Sequence, residues 1–80
     1  MDPRRVLTFR QVAHERSFSG AARTLSLTQP SVSHQIAQLE RELGGKLLER
    51  GPGGPRVTPA GEALLVHADA IAERFALAET

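Results

Sequence analysis

Between Leu27 and Glu40 the chain reads LTQPSVSHQIAQLE, and a proline, Pro30, stands where a helical pattern begins. After it Val32, Ile36 and Leu39, continued by Leu43, recur at steps of three and four residues, the spacing that aligns one face of an α-helix. The N–H groups of a first helical turn have no intrahelical acceptor, so proline forfeits nothing there. The threonine just ahead of it, Thr28, can accept one of those N–H groups through its hydroxyl. The pattern predicts a helix over about residues 30–43, closed by Gly44-Gly45. Opposite its apolar stripe lie His34, Gln38 and Arg41, with Ser31 and Ala37 on the flanks and Ser33 beside them. Gln29 and Pro30 lead at the N-terminal end.

Upstream, Asp2-Pro3 is another cap-plus-proline start, and Val6, Phe9, Val12 and Ala13 form a helical stripe ending near Arg16. Ser19 is the expected cap of a short helix from Gly20 to Leu25, in which Ala21 and Ala22 are small enough to let another helix approach closely. Only SLTQP separates it from the next helix. Two helices joined by so short a turn, the second carrying short polar residues outward, form a helix-turn-helix pattern. Such a face suits a DNA major groove: serine gives or accepts a hydrogen bond, glutamine can hold an adenine edge, and small residues let the helix sit deep. Downstream, in KLLERGPGGPRVTP (Lys46 to Pro59), Leu47 to Arg50 and Arg56-Val57 flank GPGGP and read as a short β-hairpin carrying two arginines. Thr58-Pro59 opens a fourth helix running to the chain end. Leu64, Ala68, Ile71, Phe75 and Ala78 step by four, three, four and three residues along it, the heptad spacing of a helix pairing with a partner. Leu65, Val66, Ala72, Ala76 and Leu77 widen its apolar surface beyond one stripe.

The chain has 80 residues, enough for one small domain whose stability needs tight helix packing or oligomerisation. It has no cysteine, which excludes disulfides and thiolate metal sites, no apolar run of membrane-spanning length and no signal-peptide core after MDPRRVLTF. The expected location is the cytoplasm, at the bacterial nucleoid. The net charge of +1 conceals an asymmetry. Residues 1–58 carry nine Lys/Arg against five Asp/Glu, a balance of +4, whereas residues 59–80 carry Arg74 against four acidic residues, a balance of −3. A basic body fits a polyanionic partner, although an ordinary solvated surface accounts for the same charges. A hydrolase reading finds Ser33, His34 and Glu40, His14 with Glu15, and His67 with Asp69. Catalysis needs such groups to converge in a pocket, and sequence neighbours on one helix point apart, so no enzyme, cofactor or metal is expected. The remaining alternative is a helical protein-interaction module without DNA binding, which salt-dependent affinity for DNA discriminates.

SFSGAARTLSLTQPSVSHQIAQLERELGGKLLER (Ser17 to Arg50), followed by RVTPAGEALLVHA (Arg56 to Ala68), resembles the N-terminal DNA-binding domain of LysR-type transcriptional regulators. The likeness runs from Phe9 to the end of the chain, through Ser17-Phe18, Ala21-Ala22, Leu25, Gln29-Pro30, Ser33, Gln35-Ile36, Leu39-Glu40, Leu43-Gly44, Leu47, Glu49-Arg50, Thr58 and Gly61-Glu62. It implies a mainly α fold: a winged helix-turn-helix of three helices and a short β-hairpin wing over residues 1–58, then a long linker and dimerisation helix over 59–80. It implies double-stranded DNA as partner, bound by a homodimer on an interrupted inverted repeat. Gln29, Pro30, Ser33 and His34 would enter the major groove, and the wing, 47–57, would meet the adjacent backbone or minor groove through Arg50 and Arg56. Ser31, Gln35 and Gln38 join them as candidate contacts on the same helix. Leu64, Ala68, Ile71, Phe75 and Ala78 are the candidate dimer seam. Tetramers, and any small-molecule effector, would belong to a longer protein with an effector-binding domain beyond these 80 residues. Three positions depart from the family pattern. His34 stands where arginine is frequent, so its charge depends on pH. Leu48 replaces a usual phenylalanine at the wing base. The wing tip GPGGP lacks the basic residues that many relatives carry.

Overall fold

Capping chemistry starts each helix. In a computed structural model that describes residues 1–79, the Asp2 carboxylate accepts the Arg4 N–H at 2.9 Å and opens α1 (Pro3–Glu15). Ser17 opens α2 (Phe18–Leu25), Thr28 opens α3 (Gln29–Leu43) and Thr58 opens α4 (Pro59–Glu79). Thr80 lies outside the described residues. Between α3 and α4 stands an antiparallel hairpin, β1 (Leu48–Glu49) and β2 (Arg56–Val57), with Leu48 opposite Val57 and Glu49 opposite Arg56. The architecture is a winged helix-turn-helix followed by a long helix.

One expected cap is corrected. Arg16 adopts the left-handed conformation, φ 53°, and turns the chain early, so Ser17 rather than Ser19 becomes the extended residue before α2. The Ser17 hydroxyl accepts the Gly20 N–H at 2.9 Å, while Ser19 sits in the first turn.

The core gathers one face of every helix: Val6, Phe9 and Val12 from α1, Phe18, Ala21 and Ala22 from α2, Val32, Ile36 and Leu39 from α3, with Leu47 and Leu48 of the hairpin and Ala68 of α4. Phe9, Val12, Val32 and Leu39 have no accessible surface, so truncating Phe9 to alanine costs roughly 3–5 kcal/mol. Leu43, expected on the buried stripe, is instead largely exposed. It is the last residue of α3, just before Gly44 turns the chain at φ 75°. Leu48 is buried and fills the wing base.

The long helix departs further from expectation. Ala68, assigned to a dimer seam, is completely buried in its own domain, and Leu64 and Ile71 pack against the same core. The heptad pattern therefore serves two surfaces. Its first part covers the domain, whereas every residue from Glu73 to Glu79 is exposed. At the start of α4, Gly61 is buried, and a Cβ there would overlap the Leu47 carbonyl oxygen and Val57 Cγ1. That close approach, not a special backbone angle, requires glycine.

Polar contacts fasten α4 to α1. Arg10 Nε and His14 Nε2 each lie 2.7 Å from Asp69 Oδ1. The hydrogen bond from His14, and with it Arg10, holds the Asp69 carboxyl below the usual carboxylate range, against a smaller opposing effect of burial. A carboxyl whose folded pKa is depressed stabilises the fold above its unfolded value, near 3.9, and loses that contribution as pH falls through the folded value. Asp69→Asn should therefore lower the melting temperature at pH 7. The gap from the parent protein should narrow as melts are repeated below about pH 4.

Candidate nucleic-acid interface

α2 ends at Ser26, which adopts φ 57°, and Leu27 N–H returns to the Ala22 carbonyl at 2.8 Å. The sharp turn lets α3 begin at Gln29 while Val32, Ile36 and Leu39 stay in the core. Consequently the N-terminal end of α3 faces outward. Gln29, Pro30 and His34 are exposed, and Ser31, Ser33 and Gln38 are half-buried beside them. His34 Nε2 and Gln38 Nε2 are 3.5 Å apart, at the long limit for a hydrogen bond, so both remain available to a partner.

Gln35 is the member of the expected set that turns elsewhere. Its Oε1 lies 2.7 Å from the hydroxyl of Thr8 on α1, and that hydroxyl is also 2.9 Å from the Arg4 carbonyl. Thr8 is buried and has one proton, so it cannot donate to both. An amide with its nitrogen toward Thr8 satisfies both contacts, because the nitrogen donates while Thr8 donates to Arg4. In either orientation Gln35 ties α3 to α1, and one end of its side chain is removed from the outward face.

The wing is placed by a residue the hydrolase reading had grouped with Ser33. Glu40 Oε2 accepts the Leu47 N–H at 2.8 Å and the Leu48 N–H at 3.3 Å, and Lys46 Nζ lies 3.9 Å from its other oxygen. The visible signal was a carboxylate on the flank of α3, followed seven residues later by an apolar pair after a double-glycine stop. Ser33 meets Arg50, not His34; Asp69 meets His14 and Arg10, not His67; and Glu15 accepts from Gln11, not His14, so none of the three hydrolase-like groupings is brought together.

The two wing arginines differ. The Arg56 side chain is exposed and, among the described residues, has no hydrogen-bond or ion-pair partner. The Arg50 guanidinium lies 3.8 Å from the centre of the Phe18 ring, and its Nη2 donates to Ser33 Oγ at 2.7 Å. At the tip, Gly53 and Gly54 take φ 87° and 98°, and a Cβ on Gly54 would collide with the Arg16 carbonyl oxygen. The tip is folded against the end of α1. Among the described residues no group of three metal-ligating side chains occurs, and no helix is long and apolar enough to cross a membrane.

Residues 3–62 match the family model of the bacterial regulatory helix-turn-helix proteins, lysR family. The chain belongs to that family of regulators. Among its relatives, the HTH-type transcriptional regulator HdfR of Yersinia enterocolitica is 43% identical over 79 residues, spanning 99% of this chain and 27% of HdfR. This chain thus spans about a quarter of the length of the curated relatives it matches. The crystal structure of the BenM DBD in complex with catB site 1 DNA superposes with a TM-score of 0.90 at 38% identity, covering 96% of this chain and 86% of that one. The CbnR DBD–DNA complex superposes with a TM-score of 0.88 at 35% identity, covering 99% and 91%.

Glu40→Ala should leave the Leu47 and Leu48 N–H groups without their acceptor. It should cost about 1–3 kcal/mol in urea unfolding and speed hydrogen exchange at those two amides ahead of the amides of α1.

Proposed function

We propose that this chain binds double-stranded DNA sequence-specifically as part of a LysR-type transcriptional regulator, acting at the bacterial nucleoid. The observation that carries the reading is the outward N-terminal face of α3. It presents Gln29, Pro30 and His34 to solvent while its opposite face is sealed into the core. The likeness to the BenM and CbnR domains, which were solved with DNA, supports the same use here. α3 enters the major groove. Gln29 and Ser33 meet base edges, Ser31, His34 and Gln38 lie alongside, and the wing, 47–57, follows the adjacent backbone or minor groove with Arg56 as its free cation. The basic excess of residues 1–58 supplies the attraction to phosphate. A salt titration with duplex DNA tests this. Affinity should fall steeply with salt, and association with protein partners alone would favour the interaction-module reading.

Two copies bind an interrupted inverted repeat through α4. With Ala68 used internally, the seam lies farther along the helix, where Ala70, Ile71, Arg74, Phe75 and Ala78 line a shallow apolar groove and Phe75 is half exposed. Val66, also exposed, extends the apolar surface toward the domain.

Gln29→Ala should relax preference at one base pair of each half-site, costing roughly 1–3 kcal/mol on the selected sequence. Arg56→Ala should weaken all sequences alike and reduce the salt slope by about 0.9. Binding curves on selected and single-substituted duplexes at several salt concentrations separate the two effects. Phe75→Ala should leave the monomer's melting profile close to the parent's but weaken self-association at least about tenfold, roughly 1.4 kcal/mol, by sedimentation equilibrium.

A further inference from the structure

We infer that Arg50 is a positioning residue that holds the Ser33 hydroxyl as a hydrogen-bond donor toward DNA, rather than one more cation for phosphate. The inference rests on the placement of α3 in the major groove proposed above. A serine hydroxyl has one proton and two lone pairs, so by itself it suits donor and acceptor groups alike. A guanidinium has only donors. With Arg50 Nη2 2.7 Å from Ser33 Oγ, the oxygen must accept, and its proton is directed away from Arg50. Among the described residues that proton has no other taker. In particular the hydroxyl makes no bond back to the Gln29 carbonyl one turn earlier, a common resting place for a helical serine.

The arrangement is held from behind. Phe18 is 8% exposed, its ring is fixed in the core, and the guanidinium carbon lies over it, 3.8 Å from the ring centre. Such stacking suits arginine and not lysine, whose ammonium is a point charge without a flat face. The positive guanidinium bonded to the oxygen also polarises the O–H bond and strengthens it as a donor. With one lone pair taken by Arg50 and the other made a poorer acceptor by the neighbouring charge, Ser33 is biased toward an acceptor on a base edge, a purine N7 or O6 or a thymine O4, over the amino groups of adenine and cytosine.

The test uses a duplex selected by the parent chain from a random pool, with Ser33→Ala, Arg50→Met and the double variant. Methionine keeps an apolar cover on Phe18, so the fold should persist, as thermal melting will check. Each single variant should lose about tenfold in affinity and flatten preference at the same base pair, and the double variant should also lose about tenfold. The salt slope should stay within a few tenths of the parent's in Arg50→Met. Replacing the acceptors of the site one at a time, N7 by 7-deazapurines and O6 or O4 by thio analogues, should reveal one position that weakens the parent about tenfold and Ser33→Ala not at all. Losses that multiply to about a hundredfold, with a salt slope reduced by about 0.9 in Arg50→Met, would make Arg50 a phosphate contact and overturn the inference. So would a position where removing an exocyclic amino group, not an acceptor, cancels the role of Ser33. Absence of salt-dependent binding by the parent would overturn the DNA reading itself, whereas additive losses in a binding parent overturn only the role of Arg50.

Discussion

One carboxylate, Glu40, fixes the backbone of the wing against α3. The hairpin has two residues on each side, far too few to be stable or oriented by its own ladder. Glu40 reaches from α3 to take the N–H groups of Leu47 and Leu48, with its side chain only 13% exposed. Partial withdrawal of the charge from water is compensated by those donors and by Lys46 nearby. The other strand is held by Thr58, whose hydroxyl donates to the Lys46 carbonyl at 2.6 Å and whose N–H donates to the Leu47 carbonyl at 3.0 Å. The wing thus takes its bearing from α3 on one side and from the start of α4 on the other. Without Glu40 the wing backbone loses its anchor on α3, and only the Arg50–Ser33 side-chain contact remains on that side.

α4 reconciles two demands that compete for one apolar surface. Its N-terminal half must close a core that is small for a lone domain, and it does so with Gly61, Leu64, Ala68 and Ile71 under Asp69's contacts to α1. Its C-terminal half extends past the body, and the molecule measures 39 Å along its longest axis against 20 Å along its shortest. A helix apolar on more than one side is otherwise a liability in water, and the exposed Phe75 and its neighbours are where the proposed second copy would pack.

Much of this was legible because the decisive signals are local. Thr28 with Pro30 and Thr58 with Pro59 announce helix starts through chemistry confined to one turn, and the structure uses both. The bearing of Val32, Ile36 and Leu39 follows from helical geometry alone. Errors came where a neighbour decides. Ser17 and Ser19 are equal as caps until Arg16 takes a left-handed conformation, which no residue type in that segment demands. Gln35 looks like a base-reading residue until Thr8, 27 positions earlier, is folded against it. A heptad tells that Ala68 will be covered but not whether its own domain or another chain covers it. The wing arginines read alike in sequence. Only packing reveals that Phe18 lies under one of them.

The stack of Arg50 on Phe18 also bears on entropy. Arginine is among the most flexible of side chains, and immobilising such a chain at an interface costs about 0.5–1.5 kcal/mol. Here that loss has already been incurred on folding, since Phe18 and Ser33 hold Arg50, and Arg50 in turn holds the Ser33 rotor. Gln35 is similarly restrained by Thr8. The ordering still to be done when a partner docks falls on Gln29, His34 and Arg56, which stand free in solvent. A half-rigid, half-mobile surface discriminates through its rigid part, which cannot adjust to a wrong partner. It tolerates variation through its mobile part, and along α3 the free Gln29 and His34 are interleaved with the restrained Ser33 and Gln35.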